Sequence, residues 1–313
     1  MSLSSPAADW RYARRRSERD RRRRRRQRIA AVLALLTASA AGAVAVLLAT
    51  AAVPPRAGAV PHDGFRARLL TLAHQTRRRP HRRRASIENR GIDRVLKRTP
   101  VIAGGGGGVR EVALTFDDGP GPYTPQVLDV LRREHVPATF FVVGQMLGDF
   151  HASLSAEERD GFTLGDHTEN HPLMARLAER AQTGQIADAA GGLRLRGAPN
   201  PRLFRPPYRS FSATTLAALR PFRMLMVLWT VDSRDYTRPG VAAIVRNVLS
   251  AVRPGAIVLM HDAGGERTQT VEALPYIIRA LRRRHFRLVS VPRLLRDDPP
   301  RRGQRLPGAS SGG

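Results

Sequence analysis

Val112-Ala113-Leu114-Thr115-Phe116-Asp117-Asp118-Gly119-Pro120 is a short apolar run that ends on two acids and a turn signal. The run has the length and composition of a buried strand. Gly-Pro directly after the acids turns the chain. Successive side chains at a strand end point in different directions. One carboxylate can therefore hold a metal while its neighbour acts as a base beside it. Taken alone, the same residues also describe an ordinary polar turn.

Outward from this stretch, strand and helix patterns alternate. Pro125 to His135 places Val127, Leu128 and Leu131 at helical spacing. Ala138 to Val143 is apolar, aromatic and β-branched, as a buried strand requires. Further strand-like runs are Leu203–Arg205, Met224–Thr230, Ala256–Met260 and Phe286–Val291, with helical patterns at Val241–Val252 and Thr268–Arg284. Strands alternating with helices predict an α/β domain with a parallel sheet. The span 110–296, about 185 residues, is short for a regular eight-fold barrel. The expected fold is thus a distorted, reduced (β/α) barrel, with its chemistry where the strands end.

Four more stretches carry reactive side chains. His167 and His171 stand four apart, a spacing that puts both on one face of a helical turn and lets them share a metal. Asp118 is the natural third ligand, giving a three-ligand hydrolytic site with open positions. Phe204-Arg205-Pro206-Pro207-Tyr208 places an arginine after a strand, where it can grip a carboxylate with two prongs. Trp229 to Tyr236 brings Asp232 and Asp235 to another strand end, and Ile257 to Asp262 brings His261 out of a buried strand. Each is weak alone; an isolated histidine pair or surface arginine is commonplace.

Taken in this order, the five stretches resemble the polysaccharide deacetylases of the NodB-homology type, carbohydrate esterase family 4. The resemblance runs from about Arg110 to Leu295 and rests on TFDDGP, the His-Thr-x-x-His pattern, RPPY and the Leu-Met-His strand end. It implies a distorted (β/α) barrel. It implies that Asp118, His167 and His171 hold a divalent metal, typically zinc, and that Asp117 is the general base. Arg205 would hold Asp117 in place. The backbone N–H of Tyr208 would join the metal in stabilising the oxyanion. His261 would be the general acid, tuned by Asp235, with Asp232 as a substitute or second partner. Leu259, Tyr208 and Tyr236 would line the acetyl and sugar groove. The implied reaction removes N-acetyl groups from N-acetylglucosamine-containing polysaccharide, peptidoglycan first and chitin-type polymers next. An O-acetyl esterase would use the same machinery, and a catalytically inactive wall-binding module is the reading from another class. Two departures stand out: Arg209 where the family usually has Gly, and Tyr236 where it usually has Trp.

The flanks differ in kind. Net charge is +27, and most of the excess lies in 1–28 and 54–110. Ile29–Val53 is a 25-residue stretch without a charge, long enough to cross a bilayer as a helix. The run Arg21–Arg26 before it keeps the N-terminus inside. The expectation is a cytoplasmic segment over 1–28 and a transmembrane signal-anchor over 29–53. A basic disordered linker over 54–109, a catalytic domain over 110–296 and a disordered tail over 297–313 complete it. If Ala49-Thr50-Ala51 is cleaved, the domain is secreted instead. The glycine run Gly104–Gly108 lacks the Gly-Lys-Ser/Thr ending of a phosphate loop. No DNA-reading motif accompanies the charge, so no specific nucleic acid is expected. The chain has no cysteine, which excludes disulfides and thiolate chemistry.

Overall fold

The computed structural model describes residues 89–304. The expected cytoplasmic segment and signal-anchor, the linker to residue 88 and the tail from 305 lie outside the described residues. Among the described residues no helix is long and apolar enough to cross a membrane.

Nine strands form one sheet. They are β1 (Val101–Ile102), β2 (Glu111–Asp117), β3 (Thr139–Val142), β4 (Thr163–Asp166), β5 (Leu203–Phe204), β6 (Leu225–Val227), β7 (Val231–Asp232), β8 (Ala256–His261) and β9 (Arg287–Val289). Seven helices lie between and after them: α1 (Thr124–Arg133), α2 (His151–Arg159), α3 (Glu179–Leu195), α4 (Ala213–Leu219), α5 (Val241–Ala251), α6 (Thr268–Arg283) and α7 (Val291–Asp297). The strand order is β1-β6-β5-β4-β3-β2-β8-β7, with β9 also on β2, and every strand pairing is parallel.

Connectivity forces this sheet to curl. A flat sheet would set β6 and β7 six strand spacings apart, roughly 29 Å. The chain passes from Val227 to Val231 in four Cα steps, a reach of about 15 Å at most. The sheet must therefore wrap into a barrel, as the alternation of strand and helix predicts. An isolated bridge between Gly104 and Ala256 spans the seam.

β2 shows how the sequence places the chemistry. Val112, Leu114 and Phe116 pack with Val127, Leu131 and Ile277 of the surrounding helices. The alternate residue Ala113 packs inward with Phe141, Leu203 and Ile257. Period-two alternation puts Thr115 and Asp117 on that same inner face, and Asp117 is the last residue of the strand. Burying a carboxylate there is unfavourable unless it is paired.

The folded unit is longer than 110–296. Residues 89–96 are helical, Ile92 and Val95 are buried, and β1 pairs with β6. The glycine run is built in as well. Gly105 N–H donates to Gly255 O at 2.8 Å and Gly106 N–H to Asp298 O at 2.9 Å. The Asp298 carboxylate accepts from the N–H groups of Gly108 and Val109. A Cβ on Gly106 would stand 2.4 Å from Asp298 Oδ1. Glycine is present for close approach, not for looseness. Gln304 then accepts from Ala103 N–H. The disordered-linker and disordered-tail expectations are thus corrected over 89–109 and 297–304.

Candidate active site

The strand ends bring the reactive residues together. Asp118 follows β2 in a left-handed conformation, φ 73°, and its carboxylate and that of Asp117 both reach His167 Nε2, at 3.5 and 3.7 Å. A Cβ on Gly264 would stand 2.1 Å from Asp118 Oδ2, which is why a glycine backs this carboxylate. His167 follows β4. His171 does not reach the site on a helical turn, contrary to the spacing argument. The chain instead loops through Thr168 (φ 70°) and His171 (φ 56°). Thr168 N–H donates to Asp166 Oδ1 and His171 N–H to Thr168 Oγ1. These side chain–backbone bonds offer the loop an alternative to helix.

Asp118 Oδ1 lies 3.1 Å from His171 Nε2 and 3.5 Å from His167 Nε2. The three ligand atoms all fall within 4.8 Å of one another. A tetrahedral metal at about 2.0–2.1 Å from its ligands sets them roughly 3.3 Å apart. His167 Nδ1 lies 2.6 Å from Arg205 O; donating there leaves Nε2 as the lone pair facing the cluster. Burial pushes His171 toward its neutral form, the form that binds metal. Burial works against the Asp118 carboxylate, but His171 and His167 hold it well below the usual range. Its buried Oδ1 accepts no hydrogen bond of good geometry. The residues fit a divalent ion.

Asp117 is fixed by Arg205, which is fully buried. Arg205 Nη1 donates to Asp117 Oδ1 at 2.7 Å and to Thr115 Oγ1 at 2.8 Å. Nε donates to Val227 O at 3.0 Å and Nη2 to Leu228 O at 3.3 Å. The guanidinium also lies 4.0 Å over the Phe141 ring. Asp117 Oδ2 is left facing the cluster, 3.7 Å from His167 Nε2. Arg205→Ala would strand a buried carboxylate, which costs about 3–5 kcal/mol. We expect the urea midpoint to drop accordingly, and an unchanged midpoint would refute this role for the pair.

His261 ends β8 beside Asp117, its register partner on β2. Its Nδ1 lies 2.8 Å from Asp235 Oδ1, and its own N–H donates to Asp235 Oδ2 at 2.8 Å. Thr270 on α6 donates to Asp235 Oδ2 as well. Burial of the ring opposes its charged form, but the Asp235 carboxylate outweighs it and raises His261 to about 9. Asp232 takes no part: it accepts from Arg234 N–H and the Tyr236 hydroxyl. Around the pocket, the Tyr208 ring sits 4.6 Å from that of His171, and the Tyr236 ring 5.4 Å from that of His261. Leu259, two residues before His261 on the same side of β8, is buried.

The arrangement can do hydrolysis: one carboxylate held as a base, one imidazole held as an acid, and a three-ligand cation site between them. The polysaccharide deacetylase family model matches residues 104–227. A chitooligosaccharide deacetylase of Bradyrhizobium sp. (strain ANU 289) is 41% identical over 201 residues, which are 60% of this chain and 91% of that protein. This chain is a member of the polysaccharide deacetylase family. A peptidoglycan-N-acetylglucosamine deacetylase of Bacillus cereus is 37% identical over 188 residues, 59% of this chain and 88% of the relative. Among solved structures, a peptidoglycan N-acetylglucosamine deacetylase aligns with a TM-score of 0.62 and 32% identity, over 66% of this chain and 97% of that one. These relatives are named as deacetylases, and this protein is likewise an enzyme, a polysaccharide deacetylase.

Around the site of this deacetylase stand further residues to which the sequence assigned no role. Thr115 joins Arg205 to Val258 O; it opens the TFDDGP stretch, but nothing in that stretch marked it as the link to Arg205. Thr270 braces Asp235 from a helix surface that reads as ordinary. Asp262 is buried behind the site, accepts from Thr124 Oγ1, and is raised by burial to about 7.

Proposed function

We propose that this enzyme removes N-acetyl groups from N-acetylglucosamine-containing polysaccharide, with peptidoglycan the first candidate and chitin-type polymer the second. One observation carries the reading: the Asp117–Arg205 and His261–Asp235 pairs flank the Asp118–His167–His171 cluster at adjacent strand ends.

Asp118, His167 and His171 would hold a divalent ion, zinc by the nitrogen-rich donor set. The chemistry such an ion supplies is Lewis acidity toward the acetyl carbonyl and a lowered pKa for water. Asp117 Oδ1 is tied to Arg205, so Oδ2 takes the proton from the attacking water. His261 Nδ1 is tied to Asp235, so Nε2 gives its proton to the departing amine nitrogen. Each positioned group adds about 10²–10⁴-fold. The Tyr208 backbone N–H is assigned to the developing oxyanion, and Tyr208, Tyr236 and Leu259 to the groove.

The uncharged stretch 29–53 and the arginine run before it support a single-pass anchor with the N-terminus inside and the catalytic domain outside, near a cell-wall polymer.

The test uses the full chain, loaded with zinc, on acetylated chito-oligosaccharide and on peptidoglycan. We expect acetate from at least one of them. A chelator should abolish it and readdition of zinc restore it, and His167→Ala should lower bound zinc measured by elemental analysis. Acetate only from O-acetylated glycans would replace the amide reading by an esterase. Acetate that survives complete metal removal would sink the ligand assignment.

A further inference from the structure

Arg209 is a cation with no part in the chemistry above. It follows Tyr208 in the turn after β5, and both have left-handed backbone, φ 56° and 57°. Left-handed backbone is unfavourable for a residue with a Cβ, so the fold alone gives no reason for an arginine here. The Arg209 guanidinium lies 4.4 Å over the centre of the Trp229 ring. Arg205, which grips the base, lies 5.6 Å from the same ring. Arg209 is thus one aromatic side chain away from the catalytic carboxylate pair.

Its side-chain donors are unused. Arg209 is only half-buried, yet its Nε is shut off from solvent and bonds to nothing. Among the described residues its guanidinium makes no ion pair or hydrogen bond; only its backbone N–H donates, to Pro206 O at 3.2 Å. Other partly exposed arginines are engaged: Arg132 with Asp129 and Asp160, Arg202 with Asp93, Arg293 with Asp297. The neighbouring acid, Asp232, attracts the Arg209 charge through space, but its oxygens accept from Arg234 N–H and the Tyr236 hydroxyl and form no hydrogen bond with the guanidinium. Stacking occupies the face of a guanidinium and leaves its in-plane N–H groups to grip a planar anion.

We propose that Arg209 forms a subsite for a carboxylate on a sugar next to the one being deacetylated, so that acidic N-acetylated glycans are preferred over neutral ones. The inference rests on the deacetylase reading of the site and names the substrate class within it.

The experiment compares three substrates with the full, zinc-loaded chain. They are a neutral chito-oligosaccharide, peptide-free peptidoglycan glycan strands with free carboxylates, and the same strands with those carboxylates amidated. A charge-assisted hydrogen bond at a half-buried site predicts about ten-fold higher kcat/KM on the free acid than on the amide. Arg209→Gly should erase that ratio, Arg209→Lys should keep part of it, and added salt should shrink it. Equal rates of the wild type on acid and amide strands would overturn the subsite, whatever the stability of the variants. So would a ratio that survives Arg209→Gly. Failure to release acetate from every glycan, the neutral one included, would overturn the deacetylase reading itself.

Discussion

Asp117→Asn is expected to lower kcat by about 10²–10⁴-fold, the span that a positioned general base contributes. The substitution keeps the shape of the side chain and an oxygen for Arg205 Nη1 to donate to, but removes the proton acceptor. Arg205 retains Thr115 Oγ1, Val227 O, Leu228 O and the Phe141 face. Some stability is lost because a buried cation loses its anion, so turnover must be taken per folded molecule. The metal ligands are untouched, and bound zinc should stay stoichiometric. Zinc content therefore separates loss of the base from loss of the site. A variant that retains zinc and turns over at the wild-type rate would remove Asp117 from the mechanism and leave Arg205 a purely structural group.

Much of this site can be read in one dimension because its residues sit where strands stop. Asp117 and His261 are the last residues of β2 and β8, and Asp118 and His167 follow β2 and β4 directly. A buried strand followed by a reactive side chain is a local signal. Local signals failed where the backbone left the common regions. Two histidines four apart suggest a helical turn, yet left-handed residues at 168 and 171 bring the same rings together through a loop. Composition failed for a related reason. The glycine run looked like slack chain, whereas its glycines admit the Asp298 carboxylate and the backbone of Gly255. Long-range partners left the faintest trace of all. Glu157 on α2 is an acid that turns out fully buried, with neither carboxylate oxygen hydrogen-bonded. Burial pushes its carboxyl well above the usual range. Sequence spacing places it on a helix but says nothing about what covers it.

Asp235→Asn should have its largest effect through His261. In the wild type the Asp235 carboxylate overcomes burial and raises His261 to about 9. His261 must be protonated to give its proton to the amine, so activity should persist through neutral pH and fall as pH rises through about 9. Asparagine keeps a hydrogen-bond acceptor for Nδ1 but removes the charge, while the burial remains. The limb should then move down to the ordinary histidine value of about 6.5 or below it. At pH 8 the variant should therefore lose most of its turnover, and recover part of it on acidification. Stability follows the same group with a definite sign. A folded pKa above the unfolded value stabilises the fold fully below about 6.5, and that contribution disappears as pH rises through about 9. The wild type should thus lose unfolding free energy between these limits relative to Asp235→Asn, measured by urea midpoints across the range. A pH–rate limb that stays in place in the variant would mean that Asp235 orients the ring without setting its charge. A limb that moves without the matching change in stability would place the titrating group on another residue, with Asp262, raised to about 7, the next to test.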